Sequence, residues 1–242
     1  MNMRTYVIGD IHGCVDELVR LLDFLPLEPS DSLVFLGDYI DRGPDSKAVV
    51  SHLIERRDAG GANVIFLKGN HEDMFLSYLG FPGKYGDMFL YNGGAATLAS
   101  YGAEPNHASP DILLLMPPAH LKFFNELKTY HVTERFLCAH AGINPNKALA
   151  DQVEEEMIWI RDEFILGRHD LPYTVLFGHT PQDEVLFHLP YKVGLDTGLV
   201  YGNRLSCLEL EEKVLFQIGR GKKKPTRQSV KRHWDEAARQ LP

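Results

Sequence analysis

The chain has 242 residues, 44% of them hydrophobic and 24% charged, with a formal net charge of −8. That balance suits a soluble globular domain with a sizeable core; no apolar run approaches the ~18–20 residues of a membrane span, and the apolar part of the N-terminus is too short for a signal peptide. From Arg220 onward eight Lys/Arg face two Asp/Glu, a balance of +6, so the first 219 residues hold −14, which argues against general affinity for nucleic acid phosphates.

In chain order, residues 4–8 read as a short apolar strand. Residues 15–25 follow with helical spacing (Val15, Leu18, Val19, Leu22) and stop before Pro26. The continuous apolar run 33–36 is a buried strand. A helix over 45–58 ends at the glycine pair Gly60-Gly61, a third strand covers 64–67, and a third helix covers 72–79. This βαβαβ order predicts strands buried between helices. Residues 81–129 carry helical pattern broken by Gly83, Gly86, Gly93-Gly94, Gly102, Pro105, Pro110 and Pro117-Pro118, and are expected as a helical insertion over one edge of a site. Strands resume at 130–132, 136–138, 175–177, 192–195, 205–209 and 214–217. The expected class is α/β, with two packed β-sheets flanked by helices.

Residues 1–219 are expected as the main domain and 220–242 as a basic tail, helical from about 229. Lys222-Lys223-Lys224 reads as a solvated segment. Val230, Trp234, Ala237 or Ala238, and Leu241 fall on one helical stripe. Docking of that stripe on the acidic body is the preferred reading; a tail that binds a partner or a membrane surface is the alternative. Cys14, Cys138 and Cys207 are odd in number and widely spaced, which is neither a disulfide framework nor a zinc knuckle. They are expected as buried or half-buried thiols in a cytoplasmic protein.

Five segments carry the chemistry: Gly9-Asp10-Ile11-His12-Gly13, Gly37-Asp38-Tyr39-Ile40-Asp41-Arg42-Gly43, Gly69-Asn70-His71-Glu72, Ala139-His140-Ala141-Gly142 and Gly178-His179-Thr180. Each follows a predicted strand, where α/β folds place their ligands. Imidazole, carboxylate and amide oxygens suit manganese, zinc, iron or magnesium. Asp10 and His12 alternate along an extended segment and can point to one side. Asp10, His12, Asp38, Asn70, His140 and His179 are too many ligands for one tetrahedral ion with an open position. They suit two ions sharing a carboxylate at about 3.5–4 Å.

These motifs resemble the metallophosphoesterase superfamily, and within it the PPP-type serine/threonine protein phosphatases, including bacterial and lambda-phage forms. The resemblance runs from Gly9 to about Leu208 and implies an αββα sandwich of mixed sheets. It implies that Asp10 and His12 bind a first metal, that Asp38 bridges, and that Asn70, His140 and His179 complete a second. Arg161, in Ile158-Trp159-Ile160-Arg161, and Arg42 match phosphate-binding arginines. His71 matches a general acid and Asp41 the carboxylate that keeps it protonated. The implied cofactor is a pair of divalent ions, Mn²⁺ first, with iron–zinc or Mg²⁺ as alternatives. The implied reaction is direct attack of an activated bridging water, without a covalent enzyme intermediate.

Taken singly, each motif has a plainer reading: Asp41-Arg42 as a surface charge pair, Gly69-Asn70-His71 as a turn, His140 or His179 as a structural histidine. Order, strand-end placement and a full ligand set weigh against those readings. Asn92-Gly93-Gly94 resembles a phage-type feature near the site, or is a tight turn. Asp196-Thr197-Gly198 and Tyr201 also match the family; Asp196 is expected to support the fold, and Tyr201 either sits beside the phosphate with Asn70 and the arginines or is an ordinary packed tyrosine. His52, His107, His120, His131, His169, His188 and His233 are assigned to surface or core.

The leading functional expectation is a monomeric phosphoprotein phosphatase acting on phosphoserine and phosphothreonine, with phosphotyrosine and small phosphomonoesters as further candidate substrates. A symmetrical dinucleoside tetraphosphate hydrolase is the alternative; that branch typically has Gly-Asn-His-Asp and lacks the aspartate matching Asp41. A non-catalytic scaffold is the remote alternative, disfavoured because no ligand is lost.

Overall fold

The computed structural model describes residues 3–104 and 109–240; Pro105, His107 and Leu241 lie outside them. Strand β1 (Thr5–Ile8) leads to helix α1 (Val15–Phe24), β2 (Ser32–Phe35) to α2 (Ser46–Asp58), and β3 (Asn63–Phe66) to α3 (Asn70–Tyr78). The α2 N-terminus is closed by Asp45, whose carboxylate accepts from the Ala48 amide at 2.9 Å, satisfying an otherwise orphaned donor. The expected insertion contains two irregular turns (86–88 and 90–94), then α4 (Ala95–Ser100), α5 (Ser109–Leu115) and α6 (Pro118–Asn125). There follow β4 (Tyr130–Val132), β5 (Phe136–Ala139), α7 (Glu154–Trp159), α8 (Asp162–Leu166), β6 (Thr174–Phe177), β7 (Leu186–His188) and β8 (Lys192–Gly194). The chain closes with β9 (Arg204–Glu209), β10 (Val214–Gly219), β11 (Thr226–Ser229) and α9 (Lys231–Gln240).

Two mixed sheets form. One runs β11-β10-β9-β1-β2-β3, the other β4-β5-β6-β8-β7. β1, β2 and β3 are mutually parallel, while β9, β10 and β11 join antiparallel. In the second sheet β5, β6 and β8 are parallel, flanked by antiparallel β4 and β7. Strand alternation sorts the side chains into layers. Val7, Val34, Leu208 and Leu215 face Cys138, Leu176 and Val193 across the gap between the sheets. Tyr6, Ile8, Leu33 and Phe35 point the other way, to Leu18 and Leu21 of α1 and Val49 and Leu53 of α2. Leu137, Val175 and Phe177 cover Met157 and Phe164 on the outer face of the second sheet. The central strands are buried on both faces, which is why they read as unbroken apolar runs. All three cysteines are free and buried. No helix among the described residues is long and apolar enough to cross a membrane.

Two strands were not expected. β7 is a three-residue edge strand, and β11 (Thr-Arg-Gln-Ser) has no buried residue. So the basic segment opens with a strand against β10 before its helix begins. Val230 then enters the inter-sheet core at 1% exposure, with Trp234 packed against it. His233 stacks on Phe187 with ring centres 4.0 Å apart, and the Lys213 ammonium lies 4.9 Å from the centre of the Trp234 ring. Truncating Val230 to Ala should leave a cavity there and cost about 2 kcal/mol, read as a melting temperature lower by roughly 4–8 °C for a chain of this size. Turnover of a small phosphoester should stay unchanged. An unaltered melting curve would mean that α9 is not anchored at this residue.

Candidate metal centre and phosphate-binding site

The carboxyl ends of five strands converge. β1 delivers Asp10 and His12, β2 delivers Asp38, Asp41 and Arg42, and the turn from β3 into α3 delivers Asn70 and His71. β5 leads to His140 and β6 to His179 across the gap. All of these side chains except Arg42 are buried. His12, Asp38, Asp41, Arg42 and His179 hold φ values between 45° and 72°, a left-handed region that non-glycine residues rarely enter. Such strain persists only where surrounding contacts impose it, and it clusters at functional sites. Two glycines allow the carboxylates to press against backbone. A Cβ on Gly69 would lie 2.1 Å from Asp38 Oδ1, and one on Gly178 would lie 2.0 Å from Asp10 Oδ1.

Glu72 ties two of the loops together. Its buried carboxyl accepts from the amides of Asp38 (2.9 Å), Tyr39 (2.8 Å) and Gly69 (2.9 Å). Burial, with the Asp38 charge adding to it, pushes it up to about 8.

The histidines are oriented by the backbone. His12 Nδ1 donates to the Ile40 carbonyl at 2.7 Å, and His140 Nδ1 to the Leu36 carbonyl at 2.9 Å. That fixes each tautomer and leaves Nε2 with its lone pair inward, the arrangement a metal-binding imidazole needs. His12 Nε2 lies 3.4 Å from Asp38 Oδ2, and His140 Nε2 lies 3.3 Å from Asp38 Oδ1. Asn70 Oδ1 is 3.0 Å from His140 Nε2 and 2.8 Å from His179 Nδ1. Two groups of donor atoms therefore share Asp38: His12, Asp38 and His71, and Asp38, His140 and His179. Asp10 Oδ2 accepts from the His179 amide at 2.9 Å. Asp10 Oδ1 and His179 Nε2 are buried with no partner. Lone pairs converging in a buried space are costly unless a cation or proton lies between them. This donor set fits a pair of divalent ions. His71 joins the first group by position, and its Nδ1 is engaged by Asp41.

Electrostatics follow the geometry. Burial works against the Asp38 charge, but His140, His71 and His12 outweigh it and hold the carboxyl well below its usual range. Burial raises Asp10 well above that range, with Asp196 and Asp38 adding to it. Burial pulls His12 down to about 3 and His179 well below its ordinary value, so both present neutral imidazole. His71 Nδ1 and Asp41 Oδ2 are 2.5 Å apart. Burial pushes Asp41 well above the carboxylate range and His71 down to about 4. The pair holds one proton more readily than two separated charges.

Residues with no motif of their own complete the pair's surroundings. The Thr97 hydroxyl donates to Asp41 Oδ1 at 2.6 Å, and both Thr97 and Ser46 accept from the Asp41 amide. The Arg42 amide donates to the Gly93 carbonyl at 3.1 Å, and a Cβ on Gly93 would meet Arg42 Cγ at 2.7 Å. So the Asn92-Gly93-Gly94 segment acts through its backbone; the Asn92 side chain bonds the Met88 carbonyl instead. Arg42 Nη1 donates to His12 Nε2 at 2.8 Å, and its guanidinium lies 5.6 Å from the centre of the Tyr201 ring. Tyr201 is 62% exposed, so it is no packed core residue. Arg161 is exposed, and its charge bears on both His71 and His179. Asp196 is buried and accepts from the Gly198 amide at 2.9 Å. Of the other histidines, His120 bonds Ser51 and Tyr101, His169 bonds the Tyr191 carbonyl, and His233 stacks on Phe187.

The sequence profile of the calcineurin-like phosphoesterases matches residues 3–211. Among curated proteins, the chain is 28% identical to the asymmetrical bis(5'-nucleosyl)-tetraphosphatase PrpE of Bacillus thuringiensis, over 89% of this chain and 94% of that one. The Bacillus anthracis protein of the same name is 27% identical over the same shares. Among solved structures, a putative diadenosine tetraphosphatase superposes with a TM-score of 0.63 at 25% identity, covering 90% of this chain and 94% of that one. A protein serine/threonine phosphatase from Saccharomyces cerevisiae gives a TM-score of 0.58 at 14% identity, over 93% and 79%. The last likeness concerns the fold alone.

Proposed function

The chain belongs to the calcineurin-like phosphoesterase family, and we propose that within it this protein is a phosphomonoesterase whose principal substrates are phosphoserine and phosphothreonine in proteins. The observation that carries this reading is the buried His71–Asp41 pair at 2.5 Å. A seryl or threonyl alkoxide is a very poor leaving group and needs a proton as it departs. A nucleotide leaving from a polyphosphate chain carries a weakly basic phosphate and needs none. A dedicated, buried proton donor is therefore best matched to alkyl esters.

In this reading Asp10, His12, Asp38, Asn70, His140 and His179 hold two divalent ions, for which the mixed imidazole and oxygen donors favour Mn²⁺. Bound there, the ions would supply a nucleophile at neutral pH, by lowering the pKa of water from 15.7 toward ~7, and charge stabilisation. The remaining steps belong to the side chains. Arg42 and Arg161 offer planar forks to the phosphoryl oxygens, a geometry that a lysine point charge does not reproduce. His12 Nε2 cannot accept from Arg42 and bind a cation together, so loading the site frees the Arg42 fork for substrate. Asp41, raised by burial, holds the proton shared with Nδ1, so the neutral imidazole carries its own proton on Nε2, which points toward Asp38 at 3.9 Å; that proton is delivered from the Nε2 side while the Asp41 proton passes to Nδ1. Thr97 and Ser46 keep Asp41 in place.

The test is His71→Asn assayed with a phosphoserine peptide, p-nitrophenyl phosphate and diadenosine tetraphosphate. The loss should be on the order of 10²–10⁴ for the peptide and much smaller for p-nitrophenolate, which departs unaided. Equal losses on both would make His71 a positioning group. A second reading, hydrolysis of dinucleoside tetraphosphates, is favoured by the names of the Bacillus relatives. A wild-type preference for diadenosine tetraphosphate over every phosphopeptide would install it.

A further inference from the structure

A cavity of about 660 Å³ opens beside the site and is lined by Gly202, Arg204, Arg220, Lys222, Lys223 and Lys224, among others. Five of these residues are cationic, on a chain whose first 219 residues carry −14. Two of the cations are engaged. Arg220 Nη1 bonds Glu17 Oε2 at 2.6 Å, and Arg204 Nη2 lies 3.2 Å from Glu184 Oε1 in an exposed pair, of the kind that contributes little and exchanges readily. Lys222, Lys223 and Lys224 are exposed, and among the described residues none of their ammonium groups makes a hydrogen bond or ion pair. Three neighbouring unpaired ammoniums repel one another and concentrate anions in a concave surface.

The position of the cavity links it to the chemistry. The single turn Leu199–Tyr201, bounded by Gly198 and Gly202, both with positive φ, joins the two. Its last residue, Tyr201, lies with its ring against the Arg42 guanidinium. The next residue, Gly202, lines the cavity with Arg204. The Arg220 amide donates to the Asn203 carbonyl at 2.7 Å, which fastens the lysine-bearing turn to that segment. Resting on the phosphomonoesterase reading above, we infer that this cavity is a subsite for anionic groups of the substrate other than the scissile phosphate. In a phosphoprotein these are acidic side chains near the phosphorylated residue. An extended peptide advances about 3.3 Å per residue, so carboxylates on the order of two to five positions away span one turn of chain. The subsite selects acidic phosphopeptides over neutral or basic ones.

The experiment uses the full metal-loaded chain and its Lys222→Gln/Lys223→Gln/Lys224→Gln variant. Substrates are a phosphoserine peptide with glutamates on both flanks, the same peptide with glutamines, p-nitrophenyl phosphate and diadenosine tetraphosphate. The wild type should show a lower KM for the acidic peptide, rising with salt as the charges are screened. The variant should raise that KM roughly tenfold, as the loss of three modest ion pairs predicts, with kcat and the other peptide unchanged. p-Nitrophenyl phosphate, which has no second anion, should be unaffected. Equal KM values for the two peptides in the wild type, or equal shifts in the variant, would overturn the subsite. If no peptide is hydrolysed while diadenosine tetraphosphate is, the phosphomonoesterase reading falls. The KM for that compound then decides: a rise in the variant keeps the subsite, with the polyphosphate chain as its anion, and no rise removes it.

Discussion

Asp38→Asn should empty both metal positions together and remove turnover. Among the described residues Asp38 is the only carboxylate shared by the two donor groups, with Oδ2 toward His12 and Oδ1 toward His140. Its histidine neighbours, His140 foremost, hold its carboxyl below the usual range against burial. An asparagine keeps the shape but offers one neutral oxygen in place of two charged ones. Partners that merely orient ligands cost 10–100-fold in metal affinity when removed, so loss of a shared ligand should exceed about 10²-fold at each ion. Metal content measured on folded, buffer-exchanged protein reads this directly. A His12→Ala control should lose one ion and retain much of the other. Two ions per chain in Asp38→Asn, with normal turnover, would dissolve the shared-ligand assignment.

Arg42→Ala should act differently, leaving both ions bound while kcat falls by about 10²–10³, the usual cost of removing one pre-organised donor from a transition state. Arg42 reaches its place under several constraints: left-handed backbone, an amide bond to Gly93, and a ring contact with Tyr201. Lysine can satisfy the backbone but not the fork, so Arg42→Lys should recover little. Since Arg42 Nη1 lies on His12 Nε2, neither substitution should weaken metal affinity. Loss of metal in Arg42→Ala would place this residue in the metal centre instead of the phosphate site. Near-normal kcat in Arg42→Lys would remove it from the phosphate site.

The sequence made the βαβαβ half and its strand-end loops readable because central parallel strands are apolar throughout and each is followed by a glycine-flanked polar motif. It also placed the helical insertion. β11 was not readable, since Thr226–Ser229 buries nothing and its place is set by β10 alone. β7 is too short for an alternation to register. Within the site, residue types and order were legible, but partnership was not. Nothing in the spacing announces that Thr97, 56 positions away, would grip Asp41. Nor does it announce that Asp10 would sit under the His179 amide, while His71 Nε2 falls in with His12 and Asp38. Those contacts cross from one loop to another, and the packing of strands, helices and sheets against one another decides them.

The left-handed backbone at His12, Asp38, Asp41, Arg42 and His179 has a thermodynamic corollary. Each such residue costs on the order of 1–3 kcal/mol, and the lone pairs that His12, Asp38 and His179 aim inward repel unless a cation joins them. The loops are thus a region that folding alone does not favour. Divalent ions that bound this arrangement in preference to the unfolded chain would by linkage stabilise the native state in proportion to the logarithm of their concentration over Kd. Such an ion would be a folding ligand as well as a reagent. Glycine at these positions would relax the backbone and make the metal-free chain more robust, at the expense of the functional side chain each position carries. Efforts to raise the melting temperature of this protein should therefore begin at its surface and termini, and leave the ends of its central strands alone.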